Sequence, residues 1–330
     1  MKSMPSRREF VKQSLLGSAV AGGALGYGRV ALAADETEAL PTAMEFTVNK
    51  NGLGQGKIGN LSVSRILLGG NLLTHFTHSR DLKYVYDLCA HYNTDEKIME
   101  TMALAEQNGV NTLVIHTKPE AMVILGRYRK ERGGKMQFII CPTTQVDRDP
   151  AGYTTEVKRL LDMGTEAVYL WGVTADRLVS EGKIDAIAEA VEIGHKHGML
   201  SGVGAHDLRV VQACEEHKIP VDFYIKTFHH HNYPTAPRPD EIKGITEEVP
   251  GYWCKNPQDV IDVMSKVEKP WIAFKVMAAG AIPPEDAFQY VFDNGADFSL
   301  AGMFDFEIAE DVAIARKVLA KVNRTRPWRS

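Results

Sequence analysis

The sequence predicts a single (β/α)₈ TIM barrel, an α/β fold, and two observations carry that reading. Eight apolar, β-prone runs alternate with helical patterns along the chain: Ser64–Gly70, Thr112–Thr117, Phe138–Thr143, Ala167–Gly172, Ser201–His206, Asp222–Thr227, Trp271–Met277 and Phe298–Met303. The runs are also continuously apolar, as in parallel strands covered on both faces, and eight such units close a barrel. An open doubly wound sheet is the alternative, but no G-x-G-x-x-G follows the first run.

The helical patterns lie at Asp95–Asn108, Pro119–Arg132, Tyr153–Asp162, Ile184–His197, Asp207–Glu216, Pro257–Val267 and Pro284–Asn294, with a last one at Ile308–Val322. Before the barrel, two short β-like runs, Met44–Asn49 and Lys57–Val63, flank Asn51-Gly52 and Gly54, a hairpin signal. Two connections are long, Asn71–Thr94 after strand one and Phe228–Asn256 after strand six. Both leave strand C-termini. Both carry histidine and aromatic residues rather than the composition of disorder, so they read as ordered lids over the mouth.

The N-terminus reads as an export signal. Ser6-Arg7-Arg8-Glu9-Phe10-Val11-Lys12 resembles the twin-arginine signature, a Gly/Ala-rich apolar run follows from Leu15 to Leu32, and Ala31-Leu32-Ala33 is a cleavage site. The expected organisation is a signal peptide over 1–33, a linker over 34–43 and one barrel domain over 44–330. The expected location is periplasmic or secreted, with the twin-arginine machinery as a partner. The apolar run is broken by glycines and Arg29, so no stable membrane span is expected after cleavage. A net charge of −4 with 24% charged residues argues against a nucleic-acid surface. Cys89, Cys141, Cys214 and Cys254 show no C-x-x-C spacing, which excludes a zinc ribbon or disulfide framework, and Cys141 and Cys214 fit core positions.

Catalytic residues of a barrel sit at strand C-termini. There the sequence places His116, His206 and His229, three imidazoles that suit a divalent transition metal such as zinc. A lone histidine at His116 or His206 is more often a packed, hydrogen-bonded residue, and it is their recurrence at equivalent barrel positions, with His229 at a third, that raises the metal reading to parity. Lys275, His206, Lys226 and Asp305 form the candidate acid–base set, and Asn71, Gln145, Trp171, Tyr233 and Trp253 the candidate substrate contacts. Lys275 points either outward, where it needs a partner, or into the mouth. Inward, desolvation and a neighbouring Lys226 would lower its pKa and make it a base or a carbonyl-attacking amine. A structural ion pair with Asp305 or Asp207 is the other reading.

Three stretches resemble the aldo/keto reductase superfamily: Leu61–Gly70 its entry into strand one, Ala105–Thr112 its approach to strand two, and Val157–Leu160 with Ala167–Val173 its third helix and fourth strand. The resemblance covers most of Lys57–Val322. It implies a barrel plugged by the hairpin and hydride transfer from NADP. The catalytic positions depart from it: His116 stands where the family has aspartate, no tyrosine follows before Met122, Pro142-Thr143-Thr144 replaces the lysine, and Trp171 replaces the histidine. The run Asp305–Asp311 is acidic where a nucleotide phosphate needs cations. The function expected is metal- or lysine-assisted acid–base chemistry, of isomerase, lyase or hydrolase type, on a small polar carbonyl or sugar-like molecule. A divergent NADP-dependent reductase and a non-catalytic sugar-binding protein are the alternatives.

Replacing Arg7 and Arg8 together by lysine is expected to leave uncleaved precursor in the cytoplasm. Immunoblotting of cell fractions checks this, and normal maturation of the variant overturns it.

Overall fold

A computed structural model describes residues 53–330, so the twin-arginine stretch, the linker and the Met44–Asn49 run lie outside the described residues. Strands β1 (Gln55–Ile58) and β2 (Leu61–Ser64) form an antiparallel hairpin. Its two-residue turn is Gly59-Asn60, with Gly59 left-handed at φ +56°. The run Lys57–Val63, expected as one strand, is thus most of the hairpin. The expected turn at Asn51-Gly52 lies outside the described residues.

Eight parallel strands follow and close into a barrel: β3 (Ile66–Gly69), β4 (Thr112–His116), β5 (Gln137–Cys141), β6 (Ala167–Leu170), β7 (Leu200–Ala205), β8 (Phe223–Thr227), β9 (Trp271–Phe274) and β10 (Phe298–Ala301). The ring is sealed by β10 on β3, with Leu300 opposite Leu67. The strands end up to three residues earlier than the apolar runs, because the last residues of each run already turn into the rim loops. Around the barrel lie α1 (Tyr84–Tyr92), α2 (Asp95–Gln107), α3 (Pro119–Arg132), α4 (Pro150–Asp162), α5 (Gly172–Ser180), α6 (Ile184–Lys196), α7 (Leu208–Glu216), α8 (Pro257–Met264), α9 (Pro284–Asp293) and α10 (Asp305–Leu319). Helices α1 and α5 correspond to no pattern read from the sequence. No helix of the described residues is long and apolar enough to cross a membrane.

Alternation along the strands sorts side chains into two buried sets. Leu67, Val114, Ile139, Phe223, Ile272 and Phe298 fill the barrel interior, and Ile58 and Val63 of the hairpin pack onto them from below. The adjacent positions, such as Leu68, Ile115, Ile140 and Tyr224, face the helices. All four cysteines are buried and free.

At the N-terminal end of β10, Asp297 is fully buried and paired with buried Arg326 at 2.6 Å. It also accepts from the Trp271 and Arg329 backbone N–H groups at 3.0 and 2.9 Å. This cluster fixes the chain terminus beneath the barrel, on the face that serves stability rather than chemistry. Asp297→Ala leaves the guanidinium uncompensated and is expected to cost about 3–5 kcal/mol of stability. Denaturant unfolding checks this, and activity of the folded fraction is expected to persist.

Candidate active site

The C-terminal rim opens into a cavity of about 1150 Å³. Both long connections contribute to its wall, Phe76 and His78 from the first and Glu248 and Trp253 from the second. They are tied to each other. Arg80 donates its backbone N–H to Glu248 at 3.1 Å and its guanidinium to the Thr235 hydroxyl at 2.7 Å and the Pro250 carbonyl at 2.5 Å.

Lys275 is the pivotal side chain. Strand alternation would turn it toward the helices, since Ala273 faces that way. Instead β9 stops at Phe274 and Lys275 takes a left-handed backbone, φ +57°, which swings its side chain into the mouth. Such a conformation is unfavourable for a non-glycine residue and is typical of functional sites. The amine lies 2.9 Å from His78 Nε2 and 5.1 Å from the centre of the Trp253 ring. His78 Nδ1 lies 3.2 Å from the Glu248 carboxylate. Burial lowers the Lys275 pKa to about 7, against the opposing pull of Glu248 and Asp176. Lys226 has no part in this, and among the described residues no carboxylate is within ion-pair distance of Lys275. Burial, with the nearby Lys275 charge, also lowers the pKa of His78 despite Glu248.

His206 forms a second dyad. Its Nδ1 is 2.8 Å from Asp176 Oδ2, while Asp176 Oδ1 accepts from the backbone N–H groups of His206 and Asp207 at 3.0 and 2.9 Å. A donor at Nδ1 leaves Nε2 as the free acceptor. Burial outweighs Asp176 and lowers the imidazole's pKa, so the ring is neutral at pH 7. Asp176 reaches it because α5 starts beside β7: a Cβ on Gly204 would come within 2.9 Å of the Gly172 nitrogen. His116 also faces the cavity, stacked on Trp171 with ring centres 6.3 Å apart.

Of the residues expected at the mouth, Lys275, His206, His116, Asn71, Trp171 and Trp253 line the cavity, and the others do not. Lys226 follows the outward alternation of Tyr224, and its ammonium donates to the His206 and Thr227 carbonyls and the Thr227 hydroxyl at 2.8–2.9 Å. It ties strand ends together. Asp305 accepts from the Tyr92 hydroxyl at 2.7 Å and pairs with Lys97 at 3.1 Å, so it anchors α1 and α2 to α10. Gln145 accepts from Arg177, and Tyr233 donates to the Gly251 carbonyl. His229 is fully buried. Its Nδ1 meets the His230 carbonyl at 2.9 Å and its Nε2 accepts from the Trp253 N–H at 3.2 Å. It rivets the second lid, and both ring nitrogens are occupied. The expected trio His116, His206 and His229 is therefore not assembled, and among the described residues no three His, Cys, Asp or Glu side chains are grouped to hold a metal. His78, Glu248 and Asp176 had not been assigned to the site from the sequence; only His78 carried a signal, as a histidine in a long rim loop.

No family model and no curated protein matches the chain. Among solved structures, a protein assigned as an aldo-keto reductase from Pseudomonas aeruginosa is 18% identical, with a TM-score of 0.56 over 83% of this chain and 98% of that one. The holo form of the aldo-keto reductase AKR11C1 from Bacillus halodurans is 11% identical, with a TM-score of 0.53 over 82% and 96%. The chain thus shares its barrel fold with aldo-keto reductases. Barrels commonly hold phosphate between the loops after strands seven and eight and the next helix N-terminus. Here, among the described residues, that wall offers Glu307 and Asp311 and no lysine or arginine beyond Lys275, a charge balance opposite to the one that would hold nucleotide phosphates.

The lowered pKa of Lys275 gives a direct expectation. Its buried charge opposes folding below about pH 7, and that penalty fades as pH rises from there toward the unfolded value of 10.5. Lys275→Met is expected to raise the melting temperature at pH 6 and to lose that advantage near pH 10. Thermal scans at both pH values check it.

Proposed function

We propose that the protein is an enzyme acting on the carbonyl group of a small polar molecule through the amine of Lys275. The observation that supports this most is the chain Lys275–His78–Glu248. With His78 Nδ1 donating to Glu248, Nε2 accepts from the Lys275 ammonium. A proton passed to Nε2 leaves a neutral amine, which half of the molecules hold near pH 7. The amine attacks the carbonyl carbon, the carbonyl oxygen takes up protons and departs as water, and a protonated imine remains. That imine acidifies the neighbouring C–H, and we assign removal of the proton to the free Nε2 of His206, which lines the same cavity. Trp171 and Trp253 offer flat apolar faces to the carbon skeleton. Isomerisation and elimination both follow from such a proton transfer.

A second reading, a divergent NADP-dependent reductase, is supported by the likeness in fold to aldo-keto reductases. The acidic wall on α10 weighs against it. Both readings treat a carbonyl compound, and they differ in whether a bound nucleotide supplies a hydride or Lys275 supplies a covalent bond.

Incubation with dihydroxyacetone and cyanoborohydride, followed by peptide mass analysis, separates them. The expected result is a reduced adduct on Lys275, formed well before any on surface lysines and absent in Lys275→Met. An unmodified Lys275, together with nicotinamide absorbance in the purified protein, would overturn the lysine reading in favour of the reductase. On the lysine reading, His206→Ala slows turnover by roughly 10²–10⁴-fold while adduct formation persists.

A further inference from the structure

One wall of the cavity is not used by the chemistry above. Helix α10 presents Phe304, Glu307 and Asp311 to it, and the connection from β9 to α9 faces them with uncharged residues such as Ala279, Gly280 and Ala281. Asp311 is 6% exposed. Among the described residues its carboxylate has neither a hydrogen-bond donor nor an ion pair, unlike Asp305 one turn and a half earlier. Glu307 uses one oxygen to cap α10, accepting the Phe304 N–H at 2.8 Å, and the other remains available. The other arginines on the cavity wall do not compensate it: Arg177 pairs with Asp147 and Glu181, and Arg209 with Asp207.

A buried carboxylate without a donor is costly, and native proteins rarely keep one without a reason. Burial, with Glu307 and Glu310 nearby, raises the Asp311 pKa to about 6. The group remains largely ionised at pH 7 and lacks a counter-charge.

We infer that this wall binds a cationic amino group of the substrate, with Asp311 and Glu307 as its acceptors, so that the cavity selects amine-bearing carbonyl compounds, of which amino sugars are one class. The inference rests on the cavity being the substrate site. It deepens the proposed function by placing an acidic recognition wall in the same space as the reactive amine. Two carboxylates with no other cation beside them attract an ammonium group and repel a phosphate. The same wall that rejects a nucleotide therefore has a positive role.

Trp171 and Trp253 line the cavity and report its occupancy. Tryptophan fluorescence is titrated with D-glucosamine, D-glucose and D-glucose 6-phosphate, which share a ring and differ in charge. Wild-type protein is expected to bind glucosamine at least tenfold more tightly than glucose, and glucose 6-phosphate most weakly. Asp311→Asn, which keeps shape and removes charge, is expected to abolish the preference for the amine by lowering glucosamine affinity about tenfold or more. The inference is overturned if wild type shows no preference for the amine, whether all three bind alike or none binds. It is equally overturned if Asp311→Asn keeps the preference, or if the phosphate binds best. Adduct formation on Lys275 with dihydroxyacetone, which has no amine, is measured on both proteins. Its loss in wild type removes the lysine chemistry alone, and its retention in Asp311→Asn shows that the variant is folded.

Discussion

Strand alternation in a closed parallel barrel decides which side chains reach the chemistry. Val114 faces inward, and continuing its parity carries His116 to the mouth; Ala167 and Tyr169 do the same for Trp171. Lys226 continues the outward parity of Tyr224 and disappears beneath the rim. One position away on a strand is thus the difference between a candidate reagent and a structural tie. Lys275 escapes the rule only because its backbone leaves the β region, and the barrel around it must hold that conformation in place.

Electrostatic pairing then sets the character of what remains. Most charged groups around the mouth are engaged with a partner: Asp176 with His206, Glu248 with His78, Arg209 with Asp207. Lys275 and Asp311 line the cavity without an ion pair, the pKa of one lowered to about 7 and that of the other raised to about 6, each chiefly by burial. Two opposite charges in one enclosed space, each short of a counter-ion, favour a ligand that answers both. Neither state is stable in isolation without the packed barrel beneath it, where Asp297 and Arg326 form a buried pair that is fully satisfied.

The fold was legible because its signals are local. Apolar runs and helical periodicity located all eight strands and eight of the helices, and the proline at the start of α3, α8 and α9 marked their boundaries. Helix α5 was hidden because it opens on Gly172 directly after a strand-like AVYLW run, and α1 because it sits inside a loop of mixed polarity. The site was only partly legible. Strand ends gave Lys275, His206, His116 and Trp171. Their partners could not be read, since His78 and Glu248 are brought together across 170 positions of sequence and Asp176 to His206 across 30. His229 misled for a physical reason: a histidine beside two others looks like a ligand, yet two backbone groups satisfy its ring. Applying strict alternation to β8 would have set Lys226 aside from the sequence alone.

Glu248 belongs to two assemblies at once. One oxygen faces His78, which orients the imidazole toward Lys275, and the other accepts the backbone N–H of Arg80, which clasps the two lids. Separating the lids therefore pulls the acid away from the imidazole. One carboxylate thus both joins the two connections and orients the imidazole beside Lys275, so a substitution that breaks the joint also removes that orientation.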